Sequence, residues 1–117
     1  MTSFDPVAAA VDWLDAHRAA ALDSLLPLYD DGASLECSCG GQKVIVGKGA
    51  IARYWRQRFD DAPALDLEDI QLAGNSVTVS YRIPGGIVEV ILDFNGAGRI
   101  ERSRCGPAAE VTSLRRG

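Results

Sequence analysis

Three cysteines, one histidine and six aromatic positions hold most of the chemical scope of this chain. Cys37 and Cys39 stand two apart in an alternating segment, so a strand there turns both thiols to one face. Three thiolates, with His17 as a fourth ligand, would make a zinc-type site. Against that, Cys-x-Cys is not the usual two-residue-gap knuckle, and His17 belongs to a separate helical segment. A nucleophilic thiol needs a pKa well below about 8.5, and His17 is the candidate activator for Cys37. Free cysteine also packs as a small hydrophobe, and core packing is the preferred reading of all three. A lone histidine is usually partly exposed or satisfied by a carbonyl, which is preferred for His17 over catalysis. Trp13, Tyr29, Tyr54, Trp55, Phe59 and Tyr81 form the aromatic set. Such residues dominate cores, and they also suit a pocket partly filled by their own bulk.

Other clusters carry less. Asp30-Asp31 and Asp60-Asp61 read as solvated loop ends rather than a divalent-cation site. Arg53, Arg56 and Arg58 scatter around a helix and read as a solvated face. Gly40-Gly41, Gly47-Lys48-Gly49 and Asn95-Gly96-Ala97-Gly98 match no phosphate loop and read as turns. No cofactor motif and no metal site are expected.

A chain of 117 residues is the size of one domain, and it buries enough surface for one core without staples. The reading is a single domain over 1–117, with a loose tail over 106–117. A net charge of −4 disfavours nucleic acid, which calls for clustered Lys and Arg. No apolar run approaches the length of a membrane span. The segment Met1–Pro6 lacks a positive n-region, and Asp12 and Asp15 interrupt the apolar residues after it, so no secretory signal is expected. With an odd number of cysteines, this predicts a cytoplasmic protein with reduced thiols.

The elements that must position these residues emerge from periodicity. Asp5-Pro6 is a helix start, and Phe4, Val7, Val11 and Leu14 recur at helical spacing. Leu22, Leu25, Leu26 and Tyr29 make a second helical stripe, with Pro27 in its first turn and Gly32 as a left-handed cap. Ala33, Leu35, Cys37 and Cys39 then alternate with Ser34, Glu36 and Ser38. Gly40-Gly41 turns the chain into a return strand over Gln42 to Val46. A third helix runs from Ala50 to Phe59, with Ile51, Tyr54, Trp55 and Phe59 on one face. Leu65 to Leu72 switches parity between Leu67 and Ile70, the sign of a bulge. Further strands run over Ser76–Ile83, Ile87–Phe94 and Arg99–Cys105. Early helices and late strands make an α+β fold.

This order resembles the nuclear-transport-factor-2-like superfamily, in its SnoaL-like and ketosteroid-isomerase-like bacterial branch. The resemblance rests on Leu22-Asp23-Ser24-Leu25-Leu26-Pro27-Leu28-Tyr29-Asp30-Asp31, Ala33-Ser34-Leu35-Glu36, Gly47-Lys48-Gly49-Ala50-Ile51-Ala52-Arg53-Tyr54-Trp55 and Phe94-Asn95-Gly96-Ala97-Gly98-Arg99-Ile100. It runs from about Val7 to Cys105. It implies a cystatin-like cone, three N-terminal helices packed on a curved antiparallel sheet of about five to six strands. It also implies an apolar pocket between the two and a common dimeric state. By family position the pocket lining would comprise Trp13, Tyr29, Cys37, Cys39, Tyr54, Trp55, Phe59, Tyr81, Val90, Ser103 and Cys105, with the last strand placing Cys105 beside Cys37.

The family's isomerase residues do not carry over. Where the branch has a tyrosine donor on the first helix this chain has Trp13. Where it has the aspartate base it has Cys37, and the protonated aspartate of the oxyanion hole is replaced by Val90. Glu101 shares parity with Ser103 and Cys105 and lies either at the pocket or at its rim. If the protein is catalytic, proton transfer would fall to Cys37 or His17. Two readings stay open. One is a pocket for a small apolar molecule, narrowed by two tryptophans. The other is a non-catalytic dimeric binding or interaction module with a closed cavity. Thr78, Ser80, Arg82, Ile87, Glu89, Ile91, Arg102 and Arg104 are expected on the outer face, which predicts a homodimer through the convex side of the sheet.

Overall fold

The structure is a computed structural model and describes residues 4–38, 43–61 and 63–107. Helix α1 spans Pro6–Arg18. It begins as the sequence predicts: the Asp5 carboxylate accepts from the N–H groups of Val7 (3.1 Å) and Ala8 (3.2 Å), and Pro6 opens the first turn.

The second helix is shorter than its apolar stripe suggests. Helix α2 is the single turn Leu22–Leu25, followed by a 3-10 turn over Leu26–Leu28. Pro27 has no N–H to continue the α-helical ladder, so the chain tightens and leaves. Tyr29 therefore opens strand β1 (Tyr29–Cys37) instead of closing a helix, and Gly32 lies within that strand instead of capping one. Ala33, Leu35 and Cys37 are buried on one face of β1, in the alternation expected.

The predicted turn at Gly40-Gly41 and residue Gln42 lie outside the described residues, as does Cys39. Strand β2 is Lys43–Val46, and helix α3 is Lys48–Asp61, two residues longer at each end than its periodicity indicated. Strands β3 (Leu67–Ala73), β4 (Ser76–Ile83), β5 (Gly86–Phe94) and β6 (Ile100–Pro107) complete the chain. The parity switch read near Leu67 is a register shift against β4 between Leu67 and Asp69. Gly106 and Pro107 belong to β6, so the expected loose tail does not begin at Gly106, and residues 108–117 lie outside the description.

Among the described residues there are three α-helices and one six-stranded sheet, in the order β2-β1-β6-β5-β4-β3. Two expectations need correction. The third helix sits between β2 and β3 rather than at the N-terminus. The sheet is mixed, because β1 runs parallel to β6 while the other neighbouring pairs are antiparallel. The curved sheet holds α1 and α3 on its concave side. The core there is built from Val77, Val79 and Tyr81 of β4, Val88, Val90 and Leu92 of β5, and Trp13, Ile51 and Trp55 of the helices. The short α2 leaves room for Tyr29 to project between α1 and α3.

Candidate functional site

The centre of the concave side is a phenol held by two indoles. Trp13 Nε1 donates to Tyr29 Oη at 3.1 Å, and Trp55 Nε1 donates to the same oxygen at 3.2 Å. Two buried indole N–H groups need an acceptor, and one hydroxyl oxygen has lone pairs for both. Burial pushes the Tyr29 phenol up to about 12, against the opposing pull of hydrogen bonding from Trp13, Trp55 and Ser103. Tyr29 is thus a neutral brace between α1, α3 and the first strand.

His17 is enclosed, not placed at a mouth. It is 1% exposed. Its ring packs against Trp55 (centroids 4.6 Å), Tyr81 (5.4 Å), Trp13 (5.7 Å) and Phe59 (6.0 Å). These contacts place His17 and Phe59 in the aromatic core behind the tryptophans.

The thiols meet a different side chain. Tyr54 Oη lies 3.5 Å from Cys37 Sγ, to which it donates, and 3.7 Å from Cys105 Sγ. Burial pushes the Tyr54 phenol well above its ordinary value, and the charge on Cys105 and the bond to Cys37 push it the same way. Tyr54 therefore stays a protonated donor beside both sulfurs. Cys37 is buried and Cys105 half-buried. The sequence offers His17 as a candidate activator of Cys37, with packing preferred for both; the Tyr54 hydroxyl is a hydrogen-bond donor to the Cys37 sulfur.

Between these clusters lies a cavity of about 10 Å³, lined by Trp13, Leu35, Tyr54, Trp55, Tyr81, Val90, Ser103 and Cys105. Seven of those eight belong to the lining that the resemblance implied. Leu35 was missed, although its alternation with Cys37 on β1 already put it on that face. Tyr29, Cys37 and Phe59 belong to the adjoining core and not to the lining. The volume is about the threshold for a single water. Among the described residues no carboxylate lines this cavity, and no group of three or more His, Cys, Asp or Glu gathers to hold a metal. Glu101 falls at the register shift where β6 has one residue more than β5, and it is exposed. It lies away from the cavity.

The opposite face of the sheet has its own chemistry. Arg102 pairs with Glu36 at 3.0 Å and Arg104 with Asp93 at 3.3 Å. Val44 (59% exposed) and Val46 (64% exposed) register with Glu36 and Ser34, which puts them on that same convex side. No helix among the described residues is long and apolar enough to cross a membrane.

No family model matches the chain, and no curated protein matches it. Solved structures do. A SnoaL-like protein of unknown function from Burkholderia thailandensis superposes with a TM-score of 0.74 at 21% identity, over 90% of this chain and 97% of that one. A ketosteroid isomerase candidate from Kribbella flavida also gives 0.74, at 16% identity, over 87% of this chain and 76% of that one. This chain has the SnoaL-like fold. At those identities the likeness is one of architecture, and the site must be argued from its own residues. In this SnoaL-like cone the three positions compared with the isomerases are all occupied by packing. Trp13 spends its N–H on Tyr29, Cys37 accepts from Tyr54, and Val90 is buried between Val79 and Cys105.

Proposed function

We propose that this protein is a homodimeric binding or interaction module whose cone is closed by its own side chains, and that it does not run isomerase chemistry. The observation that carries this is volume. The space at the centre of the cone is about 10 Å³, whereas small-molecule sites occupy roughly 300–1,000 Å³. The two indole N–H groups that border it are taken by Tyr29 and the Tyr54 hydroxyl by Cys37, and the cavity lining supplies no carboxylate for a proton shuttle. Catalysis by Cys37 or His17 is not needed by this reading, since both lie in packed surroundings.

The homodimer rests on the convex face. Exposed Val44 and Val46 on β2 and half-buried Ile91 on β5 supply apolar area, and the Arg102–Glu36 and Arg104–Asp93 pairs, carried on β1, β6 and β5, supply polar contacts between them. A second reading, a site for a small apolar molecule, has one specific observation in its favour. The cavity already gathers an apolar lining with the Ser103 hydroxyl and the Tyr54 phenol, the usual composition of a ligand site. A cytoplasmic location agrees with reduced Cys37 and Cys105.

Native mass spectrometry of protein purified directly from cells tests both readings. The closed module predicts a dimer at twice the chain mass with nothing added. A few hundred daltons of bound small molecule per chain would overturn it in favour of the ligand site. A monomer at tens of micromolar would remove the dimer.

A further inference from the structure

The closed-module reading gives no task to the two thiols that converge on Tyr54. Cys37 and Cys105 are direct partners in the parallel register of β1 and β6. Neighbouring strands lie about 4.8 Å apart, inside the Cα separation of roughly 4.4–6.8 Å that a disulfide spans. Both side chains point to the concave side, and both sulfurs lie within 3.7 Å of one phenol oxygen. The backbones are pinned beside them: the Cys105 carbonyl accepts from both the N–H and the hydroxyl of Ser38, each at 3.1 Å. Rotation about χ1, between staggered rotamers, is the motion by which the two sulfurs would meet.

We propose that Cys37 and Cys105 are a redox-active dithiol that a hydroperoxide oxidises to a disulfide joining β1 to β6. Cys105 is the less buried of the two and reacts first. Its thiolate attacks the outer peroxide oxygen, the O–O bond breaks, and the alkoxide or hydroxide takes up a proton and leaves. The Cys105 sulfenic acid is then attacked by the Cys37 thiolate; the S–S bond forms, the S–O bond breaks, and water leaves. Two thiols and one hydroperoxide give one disulfide, one alcohol (water, from hydrogen peroxide) and one water. Tyr54 is the positioning residue: its O–H donates to Cys37 Sγ, which favours the thiolate that must attack. The positive charge of Arg58 acts on the same hydroxyl and is of the sign that supports thiolates. A directly opposed pair on adjacent strands makes a constrained bond, and constrained bonds are the readily reduced, regulatory ones.

The test uses the full chain and hydrogen peroxide. Reduced protein is treated with a few equivalents, alkylated, digested without reductant and read by mass spectrometry. The expected result is loss of two hydrogens per chain, a Cys37–Cys105 linked peptide, and full reversal by dithiothreitol. The same link is expected in Cys39→Ser. In Cys37→Ser, dimedone is expected to label Cys105 as the trapped sulfenic acid. A link through Cys39, a bond between two chains, sulfinic or sulfonic acid at Cys105 without a link, or unreacted thiols would each overturn the proposal.

Discussion

Replacing Tyr29 by phenylalanine removes one oxygen and strands two donors. The ring still fills its place, so the transfer free energy hardly changes. Trp13 Nε1 and Trp55 Nε1, at 3.1 and 3.2 Å in the native protein, lose the acceptor they share. Each buried donor left unsatisfied costs about 1–3 kcal/mol, and relief of burying the hydroxyl offsets a little of that, so about 3 kcal/mol is a central expectation. Unfolding entropy near 2.1 cal/mol/K per residue, taken over 117 residues, gives about 0.25 kcal/mol/K, and the Tm of Tyr29→Phe should fall by roughly 12 °C. Thermal unfolding followed by circular dichroism measures this. Tryptophan emission provides an independent readout, because both tryptophans of the chain change partner together. A double-mutant cycle with Trp13→Phe should show strong coupling, since the two changes remove the same bond. A Tm within about 2 °C of wild type, with unchanged emission, would refute the brace and with it the account of how α1 and α3 are held to β1.

Alkaline pH should weaken the fold in a defined window. The Tyr29 phenol titrates at 10.0 when free and at about 12 in the folded chain. Between these values the unfolded state has lost a proton the folded state keeps. Stability is therefore intact below pH 10, and Tyr29 lowers it by about 1.4 kcal/mol per unit between pH 10 and about 12, a part of the decline that Tyr29→Phe should remove in denaturant titrations. Tyr54, raised in the same direction, adds to the decline. At the convex face, Val46→Glu and Ile91→Asp should each shift a dimeric sedimentation profile toward monomer while leaving the far-ultraviolet spectrum unchanged. Oxidation to the Cys37–Cys105 bond closes a loop of about 70 residues, worth up to about 4 kcal/mol before strain is subtracted, so calorimetry should find the oxidised chain several degrees more stable.

How far the sequence carries depends on whether the deciding contact is local. Asp5-Pro6 specifies the start of α1 from three neighbouring groups, and it reads correctly. The alternation of Val77, Val79 and Tyr81 fixes which face of β4 is buried, and helical spacing turns Trp13 and Trp55 inward without help from other elements. Tyr29 is the instructive failure. Its spacing from Leu22, Leu25 and Leu26 fits a helix, but Pro27 ends that helix, and pairing of Tyr29 with Ile100, far along the chain, sets its conformation. Glu101 misleads for a related reason: one extra residue in β6 reverses its parity relative to Ser103. The meeting of Cys37, Tyr54 and Cys105 was accessible only through the expected neighbourhood of the first and last strands. Even then the phenol between the sulfurs had no local signature.

The residues at the three positions compared with the isomerases are themselves part of the packing that closes the cone. An acid–base site in such a cone needs groups that are buried yet left with an open valence toward a ligand. Here each position in question has been turned inward. Indole at position 13 donates to Tyr29 instead of to a substrate oxygen, and the second indole, Trp55, saturates the same acceptor. A thiol at position 37 accepts the Tyr54 hydrogen bond, and valine at position 90 adds bulk beside Cys105. Once Tyr29 holds both indoles, widening the cavity means breaking two buried hydrogen bonds, so the interior resists reopening by any single substitution. The chemistry left over is that of the two thiols. It sits where β1 and β6 run side by side, at a point the aromatic packing does not seal, since Cys105 and Tyr54 both stay partly accessible.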